Sequence, residues 1–435
     1  MDLIAKVRAK FGLAKLRIIR LWQSIPDCFW LLDHLLIAAA VNVNAPNLWQ
    51  KVTWALHQLL GYSQMCLAVL GFASALLWLD DVLAMFWSVL LFGTTVHCLA
   101  KCYLLRRYDG EICNVRSFLT SAEFSSGDAI FDAAARRQYR RKSRMLIIAV
   151  GLVLLFNQLV VWIPNEQQRV IFSIPPWIGT YFGGRLVVGL RMIYSSTFIL
   201  FWAPKLAGCT SLATVLLSGL KAEQIILNHH FKHLTRGVKQ LYNFQITRKQ
   251  FWGQLKPSLK TIIDQQVLIL SHLTSLQPMV EKVFFLTYYF ALGAIGCTIF
   301  LVLSVPFSYT NFGIMVSLAG FSLEILQLGH QVETLRDTVS FNACEAPQKS
   351  SNSQHYFKQF DVTAGLAFSL CAQLPYSEDQ HQEYVDLRTS LSIVGLCSRN
   401  VARFGCTGIP DISVAVFAEL LHTTYSVLTF LLNTV

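Results

Sequence analysis

Few side chains in this 435-residue sequence stand at spacings that do chemistry. His229, His230 and His233 share helical spacing in LKAEQIILNHHFKHL, and Cys98 and Cys102 lie one helical turn apart. Imidazoles and thiolates are metal-ligand types. The histidines, however, sit among Lys and Asn, where a solvated or inter-helix contact is the simpler reading. The eleven cysteines are odd in number and scattered, with no C-x-x-C pair and no Cys/His zinc spacing. They read as small apolar residues of an interior. No nucleophile stands beside a base, and no phosphate-binding loop or paired carboxylates emerge. The sequence therefore implies no enzyme, no cofactor and no metal. What remains is apolar: in FAELLHTTYSVLTFLLNTV, Tyr425, Leu428 and Leu432 recur at i, i+3 and i+7, one face of a helix. A ring of such leucines closes a water-filled pore by dewetting.

The elements that would position these residues are membrane helices. Hydrophobic residues make up 54% of the chain and charged ones 14%, with a mean hydropathy of +0.47. A soluble chain carries about 25% charged residues. The apolar residues run in blocks near the ~20 needed to cross a bilayer. Seven spans are expected: Trp54–Trp78, Val82–Leu105, Met145–Trp162, Leu186–Ser218, Val283–Val305, Phe312–Leu328 and Ile412–Leu432. The fold class is all-α, a polytopic membrane protein. An eighth run, Cys28–Val43, is short and carries Asp33 and His34. It is expected to be interfacial or re-entrant, because two polar groups are costly in lipid.

The net charge of +11 would suit a nucleic-acid partner, but its placement does not. Residues 1–27, 101–144, 219–282 and 331–404 hold 31 of the 36 Lys and Arg. With seven spans these segments share one side, which is cytoplasmic by the positive-inside rule. The N-terminus is then inside and the C-terminus outside. Leu220–Leu241, Leu259–Leu276 and Tyr384–Leu396 keep helical apolar spacing, so the inner segments are expected to form a packed helical anchor layer. Ala346–His355 reads as a polar linker. The expected division is 1–53 (cytoplasmic, with the short helix), 54–218 (spans one to four), 219–282 (helical extensions), 283–330 (spans five and six), 331–404 (loop and helix) and 405–435 (span seven).

At these residues the chain resembles the insect odorant receptors. SVAVFAELLHTTYSVLTFLL is similar to their closing pattern, Ser-Leu-x-x-Phe followed by a Thr-Ser-Tyr-Ser-x-x-Thr-Leu-Leu run. Ser413, Phe417, Thr423, Tyr425, Ser426, Thr429 and Leu431 are in register, while Val414, Thr424 and Phe430 depart from it. LWLDDVLAMFW resembles the acidic first outer loop, and AEQIILNHHFKHL a Gln-x-x-Leu-x-His pattern after span four. DQQVLILSHLTSLQP resembles the stretch before span five, with Asp264 and Gln277 in place of His and Ser. Gustatory receptors of the same superfamily end in Thr-Tyr…Gln-Phe. Here Thr424-Tyr425 is present but Leu431 stands near the Gln, which favours the odorant type.

The resemblance implies a ligand-gated, non-selective cation channel of four subunits in the plasma membrane of sensory neurons, some of them the odorant co-receptor. Span seven would line the pore through Tyr425, Leu428, Leu431 and Leu432. Leu431 is apolar where the family has a polar position, so the chain alone is expected to make a poor homomeric pore. A small volatile ligand would enter the outer half of the bundle among spans two, three, four and six. Trp87, Trp162, Tyr181, Arg191, Tyr194 and Met315 are the candidate contacts. Trp87 and Tyr194 lie deepest; Trp162 and Tyr181 suit an interfacial belt. The alternative is a gustatory receptor forming a tastant-gated channel. A G-protein-coupled receptor would show the opposite charge bias, and a transporter would show repeat symmetry; neither feature is in the sequence.

Overall fold

The computed structural model describes residues 29–39, 48–77, 82–163, 171–243, 248–304, 309–339, 363–374, 376, 378–401, 404–409 and 411–434. Among these the chain is helical and has no strand; Cys406 and Ile409 form an isolated bridge. The helices are α1 (Trp30–Ala38), α2 (Leu48–Leu77), α3 (Val82–Arg107), α4 (Asp109–Ser121), α5 (Ala129–Trp162) and α6 (Pro176–Phe182). They continue with α7 (Gly184–Asn243), α8 (Arg248–Ser304), α9 (Tyr309–Val339), α10 (Thr363–Gln373), α11 (His381–Val401) and α12 (Val414–Thr434). Among the described residues α2, α3, α5, α7 and α8 are long and apolar enough to cross a membrane. The runs expected as spans six and seven form α9 and α12, of 31 and 21 residues.

Three helices are far longer than a bilayer requires. α7 has 60 residues and α8 has 57, about 90 and 85 Å at 1.5 Å per residue. α8 keeps one buried stripe throughout. Leu255, Leu259, Ile262, Gln266, Ile269, Leu273, Leu276, Val280 and Phe284 recur at steps of three and four, all buried. α7 does the same below its membrane part with Leu220, Glu223, Gln224, Leu227 and Phe231. α5 joins span three to the segment before it in one helix of 34 residues. Asp128 starts it, its side chain accepting from the backbone N–H groups of Ile130 and Phe131 at 3.0 Å each. The lower parts of α5, α7 and α8, with α4, α10 and α11, form a basal layer.

Several polar groups of the basal layer pair internally, while His230 Nδ1 and Gln373 Oε1 are buried without a hydrogen-bond partner among the described residues. Arg136 forks onto Glu223, Nε to Oε1 at 2.8 Å and Nη2 to Oε2 at 2.9 Å, and also donates to the Phe124 carbonyl. Asp132 accepts from Ser125 Oγ, Ser126 N and Ser126 Oγ. Gln224 donates to Gln266 across α7 and α8 at 3.0 Å. His229 stacks on Phe131 with ring centroids 3.9 Å apart, an inter-helix contact as expected. Among the described residues no cluster of three metal-ligating side chains forms.

The short eighth run is α1. It buries Phe29, Leu32, Leu36 and Ala39. The Cβ that Gly208 lacks would stand 3.6 Å from Leu36, so α1 lies directly on α7. Its Asp33 is held by both nitrogens of the Arg116 fork, at 2.6 Å each. The linker at 346–355 and residues 1–27 lie outside the described residues. Within the long sixth-to-seventh connection, residues 363–373 carry no helical signal in the sequence. α10 forms there, with Leu366, Ala367, Leu370 and Leu374 buried against α7 and α11.

Before α12 the chain makes a tight turn. Cys406 and Ile409 exchange backbone hydrogen bonds at 2.8 Å, and Gly408 adopts φ 81°, a conformation glycine takes without strain. Burial, with Glu281 beside it, pushes the Cys406 thiol up from its ordinary value. α9 then fixes the start of α12. Val414 N–H donates to Glu333 at 3.1 Å, and Arg336 pairs with Asp411. Gly329 lies so close that a Cβ there would meet the Ser413 carbonyl oxygen at 3.0 Å.

Candidate functional site

Above the basal layer the helices do not close on one another. A cavity of about 350 Å³ lies between α3, α5, α7 and α9, with Thr298 of α8 at its side. That is the lower end of the range for small-molecule sites, roughly 300–1,000 Å³. Each wall follows from one helical face. On α3 it is Trp87, Leu90, Leu91 and Thr94; on α5 it is the stripe through Val150, Val153, Leu154, Asn157 and Val161. α7 supplies Phe198, Ile199 and Trp202, and α9 supplies Gly320, Phe321 and Glu324. The lining is overwhelmingly aliphatic and aromatic, with a few polar side chains.

Aromatic packing holds the top of this wall. Phe172, Tyr194 and Phe198 meet edge to face, with centroids 5.2 to 5.8 Å apart. Phe172 and Phe198 line the cavity; Tyr194 stands one layer behind them, 2% exposed. Gln158 locks the same level of α5 to α7. Its Nε2 donates to the Ser196 carbonyl at 3.0 Å, and its Oε1 accepts from Leu200 N–H at 3.1 Å. Trp162 Nε1 donates to that same Ser196 carbonyl.

A buried ion pair closes the lower end. Lys101 of α3 has a fully buried side chain, and Glu324 of α9 is nearly so. The ammonium donates to Glu324 Oε1 at 3.1 Å, to Thr210 Oγ1 at 2.9 Å and to the Leu206 carbonyl at 3.1 Å. All three of its protons have acceptors, the condition under which a charge is tolerated in an apolar interior. A turn away, Lys205 donates to the Phe201 carbonyl and sits 3.2 Å from the centroid of the Phe201 ring.

Of the six residues expected to meet a ligand, Trp87 lines the cavity and Tyr194 backs it. Trp162, Tyr181 and Met315 are 53%, 81% and 47% exposed, and Arg191 is half-buried on α7; none of these four lines the cavity. The structure does not bring the six together. Asn157, Trp202 and Glu324 line the cavity although the sequence reading did not single them out. A signal for the ion pair was present: Lys101 and Glu324 are the only Lys, Arg, Asp or Glu in Val82–Leu105 and in Phe312–Leu328.

In α12 the buried stripe is Val416, Leu420 and Thr424, turned toward α8 and α9. Tyr425 is 66% exposed, on the side facing away from the chain's own bundle. Leu428, Leu431 and Leu432 belong to the helical backbone of α12, but their side chains lie outside the described residues.

Comparison with family models finds no match, and comparison with characterised protein sequences finds none either. Comparison with solved structures does. The fold is similar to that of the insect olfactory receptor OR5 from Machilis hrabei in complex with eugenol. The TM-score is 0.66 at 12% identity, over 94% of this chain and 98% of that one. It is similar also to the same receptor in a second structure, with TM-score 0.64 and 13% identity over 96% and 99% of the two chains. The chain therefore has the all-helical, polytopic fold of an insect olfactory receptor.

Proposed function

We propose that the chain is a chemosensory receptor of the odorant type, the ligand-binding subunit of a ligand-gated, non-selective cation channel. The observation that carries this reading is the apolar cavity between α3, α5, α7 and α9, in the fold of a receptor solved with the small phenol eugenol. A volatile ligand buries its hydrocarbon surface there, at about 25 cal/mol per Å² removed from water. Trp87 is the aromatic contact and Tyr194 keeps Phe172 and Phe198 in place. The working assembly has four subunits in the plasma membrane of a sensory neuron, some of them the odorant co-receptor. Termini lie as the positive-inside rule requires, the N-terminus cytoplasmic and the C-terminus outside. The Tyr425 face of α12 lines the pore, with Leu428, Leu431 and Leu432 above it. A gustatory receptor gated by tastants is the second reading, favoured by Thr424-Tyr425.

The test is current. Cells expressing the chain alone, and with an odorant co-receptor, are recorded under a panel of volatiles and sugars. Volatile-evoked current that needs the co-receptor is the expected result. Sugar-evoked current without it would move the reading to the gustatory type. Surface-expressed protein that passes no current under either condition would defeat both.

A further inference from the structure

Among the described residues, the polar atoms Asn157 Oδ1 and Trp202 Nε1 on the cavity wall have no partner. Asn157 is nine-tenths buried and lines the cavity, yet its amide oxygen Oδ1 meets no donor among the described residues. Trp202 is 2% exposed and also lines the cavity, and its indole Nε1–H meets no acceptor among the described residues. Buried polar atoms are normally paired, and each bare one destabilises the fold. The contrast with the next residue is sharp. Gln158, also buried, uses both its oxygen and its nitrogen on α7. The same bonds put this level of α5 beside Ser196 to Leu200, so Trp202 follows within one turn of α7.

One group is therefore an acceptor in want of a proton and the other a donor in want of a lone pair. A hydroxyl supplies both at once. An ether, ketone or ester accepts but does not donate, and leaves the Asn157 oxygen bare; a hydrocarbon leaves both. We propose that the cavity selects an apolar molecule carrying one hydroxyl, an alcohol or phenol, which donates to Asn157 and accepts from Trp202. This rests on the reading of the cavity as the ligand site and adds the ligand's chemical class. Sites built to pair a hydroxyl discriminate against analogues lacking it more sharply than apolar pockets discriminate by size.

The experiment is thermal unfolding of the purified full-length chain with 4-ethylphenol and with 4-ethylanisole, which differ by capping the hydroxyl. The phenol is expected to reach half its maximal stabilisation at about tenfold lower concentration than the anisole, as a single buried hydrogen-bonding group warrants. In Asn157→Leu and in Trp202→Phe that ratio should fall toward one, with the anisole response kept. Asn157→Leu removes an amide whose oxygen has no partner among the described residues from an apolar wall, and the retained anisole response reports that the variant is folded. A wild-type ratio near one, or a ratio that both variants leave unchanged, overturns the hydroxyl proposal and leaves the cavity reading standing. The variant Gly320→Phe separates the two claims, because a Cβ at Gly320 meets nothing within 4 Å and a ring there fills the cavity. If neither compound stabilises the wild type, or if both still stabilise Gly320→Phe, the cavity reading fails and the proposal fails with it.

Discussion

The basal layer and the bundle around the cavity are built from the same helices and solve opposite problems. Below, α7 and α8 run side by side with continuous buried stripes, and Gln224–Gln266 joins them, Arg136–Glu223 ties α5 to α7, and Asp132–Ser126 pairs at the start of α5. Above, the same α7 faces a void, and Trp202 Nε1 on α7 and Asn157 Oδ1 on α5 have no partner among the described residues. The lower part is packed without a ligand; the upper part keeps a void. A helix that is packed at one end and hollow at the other has one fixed anchor and one region whose stability depends on what enters it. Lys101–Glu324 marks the boundary between them.

That contrast is breakable at several points, and the largest effect is expected at the boundary. Glu324→Leu strands the buried Lys101 ammonium, and losing one partner of a buried pair costs about 3–5 kcal/mol. The thermal midpoint should drop steeply, and Lys101→Met added to Glu324→Leu should restore most of it. No restoration would show that the pair is not the unit the structure makes it. Next in size is the basal core: Leu259→Ala should cost about 2–5 kcal/mol, whereas Ile199→Ala on the cavity wall should cost distinctly less, because that side chain already faces a void. Equal losses in unfolding experiments would erase the distinction between the two regions.

A smaller change of opposite sign is expected at Gly320. Gly320→Ala should stabilise the ligand-free chain by up to about 1 kcal/mol, the helix-propensity difference, since its Cβ meets nothing within 4 Å. It should also weaken the response to large volatiles more than to small ones, read from dose–response curves. The smallest effect belongs to Asp33→Asn. The Arg116–Asp33 pair is about one-third exposed at each partner, so about 1 kcal/mol or less is at stake. A large loss there would mean that α1 is held chiefly by charge and not by Phe29, Leu32 and Leu36.

Sequence periodicity revealed much of the helical frame, because a stripe such as Leu255 to Phe284 is written at steps of three and four whatever surrounds it. The cavity was less legible. Asn157 and Gln158 are adjacent amides in one apolar run, and nothing in the run says which faces a backbone and which a void. That is decided by the position of α7, a partner distant in sequence. Trp87 and Tyr194 were legible as the deeper aromatics, and the structure buries both. The continuity of α5 through its arginine-rich start is not legible in hydropathy, since Arg136 turns onto Glu223 while Arg137, Arg141 and Lys142 stay exposed, and none of them ends the helix. α10 was hidden for a simpler reason: eleven residues are too few to show a period against a divergent connection.

The ion pair at the base of the cavity also has a consequence in time. Lys101 and Glu324 are 223 positions apart in the chain. At roughly 5–20 residues per second, Glu324 is made about ten to forty-five seconds after Lys101. For that interval α3 carries a lysine with no counter-ion, and a lone charge is not left in lipid. The third helix is therefore expected to keep Lys101 near water until the ninth arrives. The bundle closes late in synthesis, and the last charge to be made is the one that lets the first come to rest.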